Sequence, residues 1–432
     1  MPTRLGVWLA CLVLLLAGCG RTAVVATDRT LGAPAPGGGA GARLVSLQAS
    51  RAAAARHAKL EEAAATWYLA RLTLDEQLGQ MLLNGCACGY AGGPMYSPDL
   101  RTMVESEHIG GLILFDTDFG APHSDSFDQT RTTLREVQTR ATIPLLIGTD
   151  QEGGDVSRLG RYFGDFPSER DLATSGNPKL AYQWGERTAR DLRATGFNLD
   201  FAPVVDVPVD GGGYWGPWRT YSDDPRVVAR YAGAFMRGLQ AAGVVACLKH
   251  YPGIGAVTKD PHATLPVVTR ALGQFRQSEL YPYQALIPAG PDMIMATDVL
   301  VPKVDPTYPA ELSRTWITGI LRRQLGYNGV IMTDALWMGG IGHTWNVTEA
   351  AVLAVEAGND VVLAGYDAAS TQGILDGLKA AIRSGHLSVA QVRASVRRVL
   401  LLKVRVGMLP IPNALLAGQH VVAAEAVVST GR

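Results

Sequence analysis

The run Lys249-His250-Tyr251-Pro252-Gly253-Ile254-Gly255 is followed, after four spacers, by Asp260-Pro261-His262. The apolar stretch 243–248 just before it reads as a buried strand. A strand therefore ends in a cation and an imidazole. A Gly/Pro-rich loop then brings a second imidazole, with an acid two residues before it. This arrangement suits a site whose base is fixed by a strand and whose loop supplies a proton-transfer group. Asp334 closes a second apolar run, 329–333, so its carboxylate is carried on rigid backbone and can serve as a nucleophile. In isolation Asp334 would as readily cap a helix, and His262 would be an ordinary solvated loop side chain.

The elements that must position these groups recur along the chain. Strand-like apolar runs fall at 80–84, 111–115, 144–149, 197–202, 243–248, 292–296, 329–333 and 360–364. Helical patterns lie between them, at 131–141, 178–195, 227–242 and 313–325 among others. Continuous apolar strands alternating with helices predict a parallel sheet covered by helices. Eight such units predict an α/β fold, a (β/α)8 TIM barrel forming one catalytic domain. Asp150, Asp206, Lys249, His250, Asp298 and Asp334 all fall at or just past C-terminal strand ends, the face on which barrel enzymes place their chemistry. A doubly wound sheet shares the alternation, but no glycine-rich dinucleotide fingerprint follows the first strand.

Lys plus Arg balance Asp plus Glu at 39 each across 432 residues, and no basic run is interleaved with aromatics. Nothing favours a nucleic-acid partner. Arg4 precedes an apolar stretch at 5–17, the length of a signal-peptide core and short for a membrane span. Leu16-Ala17-Gly18-Cys19 at its end resembles the lipobox of bacterial lipoproteins, which implies lipidation at Cys19; the alternative is an ordinary secretory signal with a coincidental Cys. The expected division is a lipoprotein signal at 1–19, a Gly/Ala/Pro-rich tether at 20–48, the barrel at 49–412 and a tail at 413–432. The expected location is extracytoplasmic, on a membrane through lipid or secreted, with the protein a monomer. Cys86 and Cys88 are too close for an easy bridge and lack a zinc spacing, Cys11 leaves with the signal, and Cys247 reads as a buried free thiol. No disulfide framework, metal or organic cofactor is expected.

Several motifs, in order, resemble glycoside hydrolase family 3, in its single-domain NagZ-type β-N-acetylglucosaminidase branch. The resemblance covers 72–409. Residues 72–81 (LTLDEQLGQM) are similar to its opening helix, and 150–158 (DQEGGDVSR) to its DQEGGxVxR. Residues 219–225 (RTYSDDP) are similar to RSFxxDP, and 249–266 match KHFPGHGxxxxDSHxxLP in spacing. Residues 329–334 (GVIMTD) are similar to the strand that bears the nucleophile. The resemblance implies Asp334 as nucleophile and His262 as general acid/base, with Asp260 holding the ring's tautomer. It implies Asp150, Arg158, Arg219, Lys249 and His250 as contacts to sugar hydroxyls; the competing reading of Arg158 and Arg219 is a structural ion pair. A structural role for Glu152 beside Gly153-Gly154 is as well supported as contact with the sugar. Trp215 and Trp218 are candidate stacking platforms.

Retaining hydrolysis ordinarily uses two carboxyl groups. A histidine in the acid/base position titrates near neutrality and can both donate and accept there. Two departures stand out. The family's GHG is Gly253-Ile254-Gly255, which lacks one loop imidazole, and Pro261 separates Asp260 from His262. The expected activity is retaining exo-removal of terminal β-linked N-acetylglucosamine from cell-wall-derived saccharides. The rivals are a β-glucosidase, a β-N-acetylglucosaminide phosphorylase, and a sugar-binding lipoprotein without turnover.

Overall fold

The computed structural model describes residues 39–85, 97–115, 127–213 and 216–416, with side chains from residue 50 onward. Cys11, Cys19, Cys86, Cys88, Trp215, the signal segment and the end of the tail lie outside the described residues. Eight strands close into one barrel: β1 (Leu82–Gly85), β2 (Gly111–Ile113), β3 (Leu146–Thr149), β4 (Leu199–Asp200), β5 (Val245–Tyr251), β6 (Met293–Ala296), β7 (Val330–Ala335) and β8 (Val361–Leu363). Every neighbouring pair is parallel, including the closing pair β1–β8. Helices such as Pro178–Thr195, Pro225–Ala241, Val347–Ala357 and Val389–Arg405 cover the outside. This is the (β/α)8 barrel expected from the sequence.

Strand ends differ from expectation in an informative way. β5 runs on to Tyr251, so Lys249 and His250 are strand residues, and β7 runs on to Ala335, so Asp334 lies within its strand. At the other end of the chain, the helix Gly39–Leu69 begins inside the segment expected to be tether.

The barrel interior follows from the two-residue period of a strand. Val245 and Cys247, Met293 and Met295, Val330 and Met332 form its apolar layers, closed below by Val399 and Leu402. One step further along the same faces come Lys249, Thr297 and Asp334. The apolar layers thus form a floor, and the first polar layer above it is the chemical one.

Beneath the barrel, Lys403 of the helix Val389–Arg405 is fully buried. Its Nζ donates to Gln80 Oε1 at 2.7 Å and to the Gly110 carbonyl at 3.1 Å, just before β1 and β2. Burial pushes the ammonium down to about 7. The unfolded chain holds this proton up to the ordinary lysine value, so between those two limits the unfolded state binds more protons. Stability from this group therefore rises as pH is raised from about 7. Comparing thermal midpoints of wild type and Lys403→Met from pH 6 to 10 should show that slope in the wild type and its loss in the variant; parallel curves would refute it.

Candidate active site

The charged half of the barrel mouth is built on β3, β5 and a short antiparallel hairpin, Gln151–Gly153 with Val156–Ser157. Glu152 in that hairpin has a fully buried side chain. Arg219, from the turn Pro217–Arg219, grips it through two bonds, Nε and Nη2 each 2.7 Å from a carboxylate oxygen. Lys249 Nζ lies 2.7 Å from Glu152 Oε1 and 2.5 Å from Asp150 Oδ1. Burial alone would raise the Glu152 carboxyl, but the charges of Arg219 and Lys249 outweigh it and hold the group far below the usual carboxylate range. Burial opposes the charge on Lys249 too; Asp150 and Glu152 reverse this and push its ammonium up. Nearby Glu169 goes the other way, raised well above the ordinary value by burial and then by the charge of Glu152.

His250 completes this half. Its Nδ1 lies 2.7 Å from Asp206 Oδ2, while Asp206 Oδ1 accepts from the Ile254 N–H at 3.0 Å. The ring is locked by an acid that also pins the following loop, leaving Nε2 for a ligand. Gly255 in that loop must be glycine, because a Cβ there would lie 1.6 Å from the Val207 carbonyl oxygen.

The other half carries Asp334. Its Oδ2 accepts from Thr297 Oγ1 at 3.0 Å, its Oδ1 from the Ala335 N–H at 2.8 Å, and its own N–H donates to Glu311 Oε2 at 2.9 Å. Asp260 Oδ1 meets His262 Nδ1 at 2.9 Å and accepts the His262 backbone N–H at 3.0 Å. In that turn Pro261 occupies the position whose N–H is not used, so the departure from the family pattern fits the local geometry. The His262 side chain is 62% exposed. The loop is tied to the segment after β7: the Gly339 N–H donates to the His262 carbonyl at 2.8 Å and the Gly340 N–H to the Pro261 carbonyl at 3.1 Å.

These two halves face one cavity of about 400 Å³. Asp150, Arg158, Arg219, Lys249, His250, His262 and Asp334 all line it; Asp260 stands behind His262. Ile254, at the position of the missing imidazole, is buried and forms part of the wall. Arg219 is both a cavity residue and the ion-pair partner of Glu152. Sequence reasoning gave Glu152 too little weight, and did not single out Thr297, Glu311 or Trp337. Thr297 was visible through the period Met293, Met295, Thr297. Glu311 reaches the site from the turn Ala310–Leu312, which has no local pattern pointing there. Trp337, three residues after Asp334, lines the cavity and sits 4.0 Å, centroid to centroid, from the Tyr366 ring. Trp218 lines the cavity as well.

A closed parallel barrel with a strand-borne carboxylate and an acid-backed histidine at its mouth has the layout of a barrel hydrolase. Residues 73–402 match the Glycosyl hydrolase family 3 N terminal domain, and the chain belongs to that family: it is a glycoside hydrolase. A beta-hexosaminidase of Thiobacillus denitrificans is 34% identical over 292 residues, 66% of this chain and 78% of the relative. One of the same name from Pseudomonas aeruginosa is 37% identical over 284 residues, 65% of this chain and 82% of the relative. The solved structure of a glycoside hydrolase family 3 beta-N-acetylglucosaminidase from Paenibacillus sp. superposes with a TM-score of 0.72 at 37% identity; the match covers 78% of this chain and 63% of that chain.

Glu152→Gln would leave Lys249 and Arg219 buried around a neutral amide. Removing one partner of a buried ion cluster costs about 3–5 kcal/mol. Denaturant unfolding of the variant should show a loss of that order, and an unchanged midpoint at unchanged slope would contradict the assignment of Glu152 as the centre of the charged half.

Proposed function

We propose that this chain is a retaining exo-β-N-acetylglucosaminidase that removes terminal β-linked N-acetylglucosamine from cell-wall-derived saccharides. The observation that carries the reading is the meeting of Asp334 and the Asp260-backed His262 at one cavity, opposite a wall of hydroxyl-binding charges. Asp150, Arg158, Lys249, His250 and the paired Arg219 hold the terminal sugar, because charged donors and acceptors match vicinal hydroxyls. Asp334 attacks the anomeric carbon while His262 gives its proton to the leaving oxygen. The glycosidic C–O bond breaks and an ester to Asp334 forms. His262, now neutral, takes a proton from water; the water oxygen attacks the same carbon and the ester bond breaks. Two inversions give net retention. The names of the hexosaminidase relatives and of the Paenibacillus enzyme support the choice of sugar. A cavity sealed below by the apolar floor supports exo action.

Asp334→Asn is close to isosteric and should abolish turnover with the fold intact, and a fluorinated sugar inactivator should label Asp334 in the wild type. Labelling of a different carboxylate would overturn the assignment. His262→Ala should cleave a dinitrophenyl glycoside far better than a natural disaccharide, with a gap of about 10²–10⁴-fold, the usual worth of general acid–base help. Added azide, which attacks without deprotonation, should restore rate to the variant. Equal slowing of both substrates with no azide effect would make His262 a structural residue. Comparing p-nitrophenyl N-acetylglucosaminide with the glucoside, with and without phosphate, separates this activity from the glucosidase and phosphorylase rivals.

The same proposal places the protein outside the cytoplasm, lipidated at Cys19 after removal of the signal segment, with the chain beyond Cys19 as tether. Cys19→Ala should shift the protein from the membrane fraction to the soluble fraction or leave it unprocessed. Equal membrane retention of the variant would refute the anchor.

A further inference from the structure

Beside Asp334 lies a second acid that the reaction just described does not use. Asp298 is fully buried. Its Oδ1 lies 3.2 Å from Thr297 Oγ1, the same hydroxyl that lies 3.0 Å from Asp334 Oδ2. Its Oδ2 is buried with no hydrogen-bond partner, held where a Cβ on Gly340 would come within 1.9 Å of it. A hydroxyl has one proton and cannot donate to two carboxylates at once. An ionised carboxylate with an unpartnered buried oxygen is among the costliest groups a protein can hold. With the proton on Asp298 the first conflict disappears and the second loses its charge: its O–H donates to Thr297, Thr297 donates to Asp334, and Oδ2 is left a neutral carbonyl oxygen.

We propose that Asp298 and Thr297 form a one-way hydrogen-bond relay, carboxylic acid to hydroxyl to carboxylate, that orients the nucleophile and stabilises its charged form. This deepens the reading of Asp334 as nucleophile and rests on it. Asp298 and Thr297 are positioning residues, because they act through Asp334 and do not touch the anomeric carbon. The acids facing Asp298 are Asp334 on β7, Glu311 in the turn Ala310–Leu312 and Asp260 in the His262 loop. Burial first, and then the charge of Asp334, pushes the Asp298 carboxyl well above its ordinary range. Glu311 is pushed the same way by burial, Asp298 and Asp334. With burial and the Asp334 charge pushing the same way, the proton on Asp298 is what keeps Thr297 aimed at the nucleophile.

The test reads the glycosylation step alone, as the rate of inactivation by a fluorinated glycoside with a dinitrophenyl leaving group, which needs no acid from His262. Mass spectrometry of the labelled wild type decides the prior question: a label on another residue sinks the nucleophile, whatever Asp298 does. With the label on Asp334, Thr297→Val should slow inactivation roughly ten- to a hundredfold, the worth of one hydrogen bond to a charged group. It should also move the acid-side fall of the pH profile to higher pH, because a carboxylate deprived of a donor holds its proton longer. Thr297→Ser, which keeps the hydroxyl, should restore both. The wild-type rate should fall again at alkaline pH, when Asp298 ionises and claims the Thr297 proton. Asp298→Asn keeps the shape but cannot ionise, so it should remove that alkaline fall. Thr297→Val matching the wild type in rate and profile would overturn the relay, as would an alkaline fall that survives in Asp298→Asn or is absent from the wild type.

Discussion

The charge cluster around Glu152 is the interaction on which the rest of the site depends. One buried carboxylate is held between a lysine from β5 and an arginine from a distant turn. The buried carboxylate would not be tolerable at that depth without its cations. Satisfying Glu152 therefore fixes where the hairpin after β3, the end of β5 and the Pro217–Arg219 turn must lie. Asp150 joins through the same lysine, and His250 follows from Lys249 by chain connectivity. The charged wall of the cavity is in effect a by-product of neutralising one buried acid.

The mouth is asymmetric. Charged groups gather around β3 and β5, whereas Ile113, Phe115, Trp337, Met338 and Leu363 line the side near β1, β2, β7 and β8. Asp334 and His262 stand with the apolar side. The isoleucine at 254 fits this division: the loop imidazole is replaced by wall, and its backbone N–H keeps the bond to Asp206. The loss of an imidazole there is compatible with the locked His250 and with the Asp260–His262 pair, which draws on neither side chain.

How much of this could be read from the sequence depended on the range of each interaction. The eight strands were legible because buried parallel strands are continuous apolar runs. Asp334 and Lys249 were legible because each continues such a run. Asp260 and His262 sit two residues apart, so their pairing is local. Glu152 was undervalued because its partners are 67 and 97 residues away, at Arg219 and Lys249. Glu311 was invisible for the same reason: it reaches Asp334 across 23 residues from a turn with no pattern of its own. Asp298 was marked only as a residue at a strand end, since the sequence cannot show that its second oxygen has nothing to bond.

The pair of backbone hydrogen bonds from Gly339 and Gly340 to the His262 loop has a mechanical consequence. It joins that loop to the turn leaving β7, so that His262 and Asp334 ride on a single body. When such a barrel breathes, strands on opposite sides shift against each other more than a loop shifts against the turn it is bonded to. Thermal motion will then vary the spacing between this pair and the charged wall more than the spacing within the pair. The distance across the cavity is the softer coordinate of the site, and the placing of His262 relative to Asp334 is the stiffer.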